Sequence, residues 1–185
     1  MIIWINGPFG VGKTTTATLL HQELAGSILF DPEEVGFLLR KSIPEDHPAR
    51  LKDFQDYPMW RSLVADTAIH LDRYIGQPPV IAPMTLIRRD YAMQIFDAIQ
   101  AGGAQVHHLL IHADTDTIAT RIESSMEFPG DDERSEKVRA FRRRKLQPYE
   151  QAYATWLHNE AEVIDTTTLT PQQVLEQALK LLPLW

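Results

Sequence analysis

The fold class this 185-residue sequence predicts is α/β: a five-stranded parallel sheet between layers of helices, in one domain over 1–185. Three observations predict it. Short apolar runs alternate with helical stretches five times, the order that builds a parallel sheet covered on both faces. The first run, Met1-Ile2-Ile3-Trp4-Ile5, leads into Gly7-Pro8-Phe9-Gly10-Val11-Gly12-Lys13-Thr14, which has the spacing G-x-x-x-x-G-K-[ST] of a phosphate-binding loop set between a strand and a helix. The length suits one sizeable core, and no repeat or low-complexity segment divides it.

Strand one is Ile2 to Asn6, and a helix follows from Lys13 to about Ala25. Ala17, Leu20 and Leu24 give that helix one buried stripe, and Gly26 ends it. Between strand and helix, glycine lets the backbone curl so that successive N–H groups face phosphate oxygens. The helix aims its positive end at the same anion. Gly7, Pro8, Phe9, Gly10, Val11, Gly12, Lys13, Thr14 and Thr15 are therefore the expected cofactor-binding loop for ATP or GTP. Lys13 is placed to reach the β- and γ-phosphates, and the Thr14 hydroxyl to ligate Mg²⁺.

Ser27 to Phe30 reads as a short buried strand, and Pro32 with its following acids starts a helix to about Lys41. Asp31 is then an N-cap and also a carboxylate at a strand's carboxyl end, where ligands of open α/β sheets bind. It is the expected catalytic or metal-holding acid, because the end of strand three (Val80 to Ala82, then Pro83-Met84-Thr85) carries none. A polar loop over 42–50 precedes a long helix from Asp53 to about Ile75. Phe54, Tyr57, Trp60 and Arg61 near its start are read as a substrate wall that stacks a flat ring and holds an anion, with core packing the alternative for Phe54 and Trp60. Thr85 is a further candidate for hydrogen-bonding substrate; Arg88 and Arg89 read as a solvated helix end.

A helix from about Asp90 to Ala101 leads to strand four, Val106 to His112. His107 and His108 are neighbours on a strand and point to opposite faces, so a shared metal site is not expected. Asp114 caps a helix carrying Arg121, a candidate contact to the nucleotide base or phosphates. A loop over 126–133 and a basic helix follow, and 124–147 is read as a lid. Val138, Phe141, Tyr149, Ala152, Tyr153 and Trp156 fall on one face, with Arg142 inside the stripe and Arg139 and Arg143 flanking it. These three arginines are expected to close over the transferred phosphoryl group. Pro148 is expected to kink or split the helix. Glu162 to Thr166 is strand five, Thr166 to Thr168 are placed to line the base pocket, and the last helix starts at Thr170-Pro171.

Composition narrows the function classes. Net charge is −7, yet residues 134–145 hold seven basic side chains against Glu136 alone, which argues for a local anion site and against nucleic-acid binding. No run of 18 apolar residues suggests a membrane span. The absence of cysteine excludes disulfides and thiolate catalysis, and a cytoplasmic location is the expectation.

The blocks MIIWINGPFGVGKT, FDPEEVGFLLR, DFQDYPMWR and APMT, in that order and spacing, resemble the bacterial tunicamycin-resistance protein family, itself one of the phosphate-loop, small-molecule-kinase-like ATP-binding proteins. The resemblance is clear over roughly the first 110 residues. It implies a three-layer P-loop NTPase sandwich of nucleoside-kinase type, ATP binding and resistance to tunicamycin, a uridine-bearing lipid-like antibiotic. The expected activity is transfer of the ATP γ-phosphate, with Mg²⁺, to a hydroxyl of that drug or a related nucleoside-like small molecule. Lys13, Asp31, Arg139, Arg142 and Arg143 would be the catalytic set. An ATP-dependent drug-sequestering protein and a housekeeping nucleoside or sugar kinase are the alternatives. Any peripheral membrane association would fall to the short final helix, through Trp185, which is expected instead to pack on the sheet.

Overall fold

A computed structural model describes residues 1–183. Five parallel strands, β1 (Ile2–Asn6), β2 (Ile28–Leu29), β3 (Val80–Pro83), β4 (Val106–His112) and β5 (Glu162–Asp165), form one sheet in the order β2-β3-β1-β4-β5. β1 lies at the centre, with Ile2 beside both Val80 and Val106, and all five of its residues are buried. A strand covered on both faces needs a continuous apolar run rather than alternation, and IIWIN supplies one. The topology brings the phosphate loop, the start of the helix after β2 and the end of β3 to the carboxyl edge of the sheet.

The helices are α1 (Lys13–Glu23), α2 (Pro32–Ser42), α3 (Pro58–Ile75), α4 (Arg89–Ala101), α5 (Thr115–Glu123), α6 (Asp132–Arg144), α7 (Leu146–Ala152), α8 (His158–Glu160) and α9 (Pro171–Leu181). Local chemistry sets most of their starts. Asp31, Asp114, Asp131 and Thr170 each accept a backbone N–H of the helix they precede, and Gln173 returns the bond at Thr170. Pro32, Pro58 and Pro171 occupy first-turn positions, where a missing N–H costs nothing.

Several expected boundaries shift for identifiable reasons. The long helix expected from Asp53 divides into a 3₁₀ turn, Phe54–Asp56, and α3, because Pro58 holds Tyr57 extended at φ −72° and ψ 119°. The expected strand over 27–30 pairs only at Ile28 and Leu29, on the sheet's edge. The basic helix expected to form a lid breaks at Lys145, three residues before Pro148, which leaves that proline inside the first turn of α7. A π-helical segment, Tyr153–Leu157, interrupts the rest of this arm. The last helix packs Val174, Leu175 and Ala178 into the core, and Leu184 and Trp185 lie outside the described residues.

Gly36 in α2 has a packing role. A Cβ there would meet the Phe54 ring at 2.5 Å, so only glycine lets that ring lie against the helix backbone. Gly36→Ala is expected to lower stability by about 1–3 kcal/mol through overpacking, outweighing the roughly 1 kcal/mol that alanine adds in an unhindered helix. The midpoint and slope of urea denaturation test this; an unchanged or higher midpoint at equal slope contradicts it.

Candidate active site

The phosphate loop has the backbone its glycines permit. Gly7, Gly10 and Gly12 stand at φ of 146°, 79° and 107°. Around Gly12, the residue before α1, a Cβ would find no atom within 4 Å, so the loop keeps open space on that side. Helix α1 has no side-chain cap, unlike α2, α5, α6 and α9, and no acid in its first turn. Its first N–H groups are thus left to an external anion. These features fit a nucleotide polyphosphate, with Thr14, exposed at the first turn, free to hold Mg²⁺ beside it. Among the described residues no cluster of three His, Asp or Glu forms a metal cage, and His107, His108 and His112 separate to Glu162, Asn6 and Tyr149. A metal held mainly by phosphate oxygens and one hydroxyl needs no such cage.

Lys13 Nζ donates to the Pro8 carbonyl at 2.9 Å and lies over the Phe9 ring. Burial lowers its pKa to about 7, Glu33 opposes that shift, and Arg142 adds to it. Near neutral pH, Lys13 is therefore only partly charged and gains from a neighbouring anion. A nucleotide phosphate beside it restores the proton, so binding at pH 8 is expected to take up about one proton. Affinity should be full below pH 7 and fall by about tenfold per pH unit above it, until the raised pKa of the complex is reached. Calorimetry in buffers of different ionisation enthalpy reads the uptake; a buffer-independent enthalpy at pH 8 contradicts it.

Next to the loop lies a cleft of about 830 Å³. Phe9, Phe37, Phe54, Met84, Ile87, Tyr91 and Phe141 give it an aromatic and apolar lining. Glu33, Asp53, Gln55, Asp56, Arg88 and Lys145 supply polar groups. The arm from α6 to α7 roofs it: Phe141 meets Phe9 edge-on at 5.5 Å, and Lys145 reaches Asp53 at 3.2 Å.

The wall expected over 54–61 is partly corrected. Phe54 does line the cleft, 5.3 Å from Trp60 and beneath Arg40. Trp60 is fully buried and donates its indole N–H to the Pro32 carbonyl, tying α3 to the start of α2. Tyr57 is buried with its hydroxyl accepting from the Leu51 N–H. Arg61 is buried behind the wall, donating to Gln94 and the Gln55 carbonyl and stacking on Tyr91 at 4.1 Å. The 3₁₀ turn at Phe54–Asp56 is what faces these three inward; without it they appeared to share one surface. Thr85 reaches the cleft, but its hydroxyl donates to the Gly7 carbonyl at 2.8 Å.

Asp31 is exposed and accepts the Glu33 N–H at 2.9 Å, the geometry of a cap. Of the acids at this helix start, the one that lines the cleft is Glu33, half-buried within the influence of Lys13. Burial and the Asp31 charge raise its pKa, against Lys13, Arg142 and Arg40. Sequence reasoning used Glu33 only as a helix-start signal. Its place in the first turn of the helix that follows β2, at the carboxyl edge of the sheet, was the signal available.

The three lid arginines separate too. Arg142 bonds Ser125 and Glu127 and is the one whose charge bears on Lys13 and Glu33. Arg139 engages Glu136 and the Ser125 carbonyl, and Arg143 pairs with Glu123 and Glu136. These hold α6 to the segment before it. Arg121 bridges the loop and β5, donating to Thr166 Oγ1 at 3.1 Å, to its carbonyl at 2.9 Å and to the Val11 carbonyl at 3.4 Å. With Gly10, Thr15 and Leu169 it lines a second cavity of about 320 Å³ on the far side of the loop, of a size for a nucleotide base.

A family profile described as an AAA domain matches residues 2–149. The fold is similar to that of the tunicamycin resistance protein of Deinococcus radiodurans, with a TM-score of 0.69, 29% identity, and coverage of 97% of this chain and 93% of that one. The fold is also that of a gluconokinase from Sinorhizobium meliloti, at 14% identity and TM-score 0.63 over 97% and 90% of the two chains. A sugar kinase from Janibacter gives 15% and 0.61 over 96% and 91%. No curated protein sequence matches. The expected resemblance and the phosphate-loop kinase fold are both found, and the chain belongs to the AAA domain family.

Proposed function

We propose that this protein is an ATP- and Mg²⁺-dependent phosphotransferase acting on a hydroxyl of a nucleoside-like small molecule, with tunicamycin the first acceptor to test. The observation that carries this reading is the meeting of Lys13, Glu33 and the charge of Arg142 where the phosphate loop opens into the aromatic cleft. A protein that only held a drug would need the cleft but not a carboxylate beside the phosphate-binding lysine. ATP supplies the phosphoryl group, and Mg²⁺ offsets its charge. Lys13 and the loop N–H groups hold the phosphates, Thr14 holds the metal, and Arg121 lines the base cavity. Phe54 offers a face for a flat ring. Glu33 accepts the proton of the acceptor hydroxyl, while Asp31 caps α2 and adds to burial in raising the Glu33 pKa. Arg142 sets positive charge against the negative charge of the transferred phosphoryl group, and Arg139 and Arg143 brace the lid. Catalysis on this account is positioning and charge neutralisation.

Mass spectrometry of tunicamycin incubated with the protein and Mg-ATP tests it. A product heavier by one phosphoryl group, absent with Lys13→Ala, is the expected result. Tight binding with the drug left intact supports sequestration; phosphorylation of uridine or a sugar in preference to the drug supports a housekeeping kinase.

A further inference from the structure

The first residue of the phosphate loop is held on both of its polar backbone atoms. The Gly7 N–H donates to Asn6 Oδ1 at 2.8 Å, and the Gly7 carbonyl accepts from Thr85 Oγ1 at 2.8 Å. Asn6 also exchanges two bonds with Leu86, accepting its N–H at 2.9 Å and donating to its carbonyl at 3.0 Å. The loop and the segment after β3 therefore move together. From there the connection continues into the cleft. The Thr85 carbonyl accepts from Gln55 Nε2 at 2.8 Å. The Gln55 carbonyl accepts from Arg61, which stacks on Tyr91, and the Tyr91 hydroxyl donates to Asp56 at 2.9 Å.

Gln55 and Asp56 sit on a turn of three residues whose own bonds are few: the Asp53 cap to the Gln55 N–H and two backbone bonds of 3.2 Å. So short a 3₁₀ turn does not fix its own position. Phe54 anchors it on α2, and the side-chain bond from Gln55 to Thr85, together with Arg61, ties its inner side to the segment after β3. Thr85 and Arg61 are buried, so water does not compete well for these bonds.

We infer that Thr85 and Gln55 are positioning residues that couple the phosphate loop to the cleft wall, so that nucleotide on the loop orders the 54–56 turn before the acceptor enters. The inference rests on the reading that the loop binds nucleotide and the cleft receives the acceptor. Binding that stiffens one end of a bonded chain lowers the ordering cost at the other, which makes acceptor binding favourable second. Neither residue touches the reacting atoms.

Amide hydrogen exchange of the 53–61 segment, with and without the non-hydrolysable analogue AMP-PNP and Mg²⁺, needs no acceptor. In the wild type the analogue should slow exchange there by about fivefold or more. Thr85→Val, which keeps the shape and removes the hydroxyl, should lose that protection, while Thr85→Ser should retain it. Gln55→Met, at a half-buried site, should lose it with analogue affinity unchanged. A wild type that binds the analogue without protecting 53–61 overturns the coupling and leaves the kinase reading standing. So does protection kept in both Thr85→Val and Gln55→Met. A wild type that does not bind the analogue removes the nucleotide reading and the coupling with it.

Discussion

Lys13→Ala is expected to reduce kcat by about 10²–10³-fold, the cost of losing one preorganised charge at a transition state, roughly 2.7–4 kcal/mol. No other cation takes its place, since Arg142 is engaged by Ser125 and Glu127. The same substitution should not weaken the fold. A lysine whose pKa falls to about 7 on folding favours the unfolded chain, where it stays protonated to its ordinary value. Removing it should therefore raise the nucleotide-free melting temperature at pH 7, and that gain should shrink as pH rises from about 7 and vanish near the ordinary lysine value of 10.5. Steady-state kinetics and melts of the two proteins measure both halves. An active variant ends the phosphotransfer reading, and an inactive one that melts lower makes Lys13 a structural residue.

Glu33→Gln is expected to lower kcat by about 10²–10⁴-fold, the range for a general base, with little change in nucleotide affinity. Asp31→Asn should behave differently. Asparagine caps nearly as well as aspartate, so α2 survives. Removing the Asp31 charge takes away one of the two influences that raise the Glu33 pKa. The acidic limb of the pH–rate profile should then move to lower pH, with turnover near its full value on the plateau. If Asp31→Asn is the inactive variant and Glu33→Gln the active one, the roles are reversed and the exposed carboxylate is the base.

Much of this was legible from periodicity and spacing. The loop, the strand alternation and the capping residues Asp31 and Asp114 are local, because each feature is set by residues within a few positions of it. What was not legible depended on facing. Trp60 and Arg61 sit beside Phe54 in sequence, yet Pro58 starts a new helix whose phase turns them into the core. Glu33 and Asp31 are two residues apart, and only the turn at the helix start decides which one enters the cleft. Among Arg139, Arg142 and Arg143, helical phase selected Arg142 as the inward one; of the acids that occupy the other two, Glu136 is a neighbour on the same helix, while Glu123 is brought up from α5 by tertiary packing.

The uncapped start of α1 has a consequence for how long this protein lasts. Four other helices are finished by their own side chains; this one, with a partly neutral lysine beside it, is not, and the anion proposed to bind the phosphate loop would complete it. A ligand present at about 100 times its dissociation constant adds roughly 2.7 kcal/mol to folding stability. That is a sizeable share of a typical domain's margin of about 5–15 kcal/mol. Under the proposed nucleotide binding, the folded protein would be more stable, and so longer lived, where nucleotide is plentiful than where it runs low.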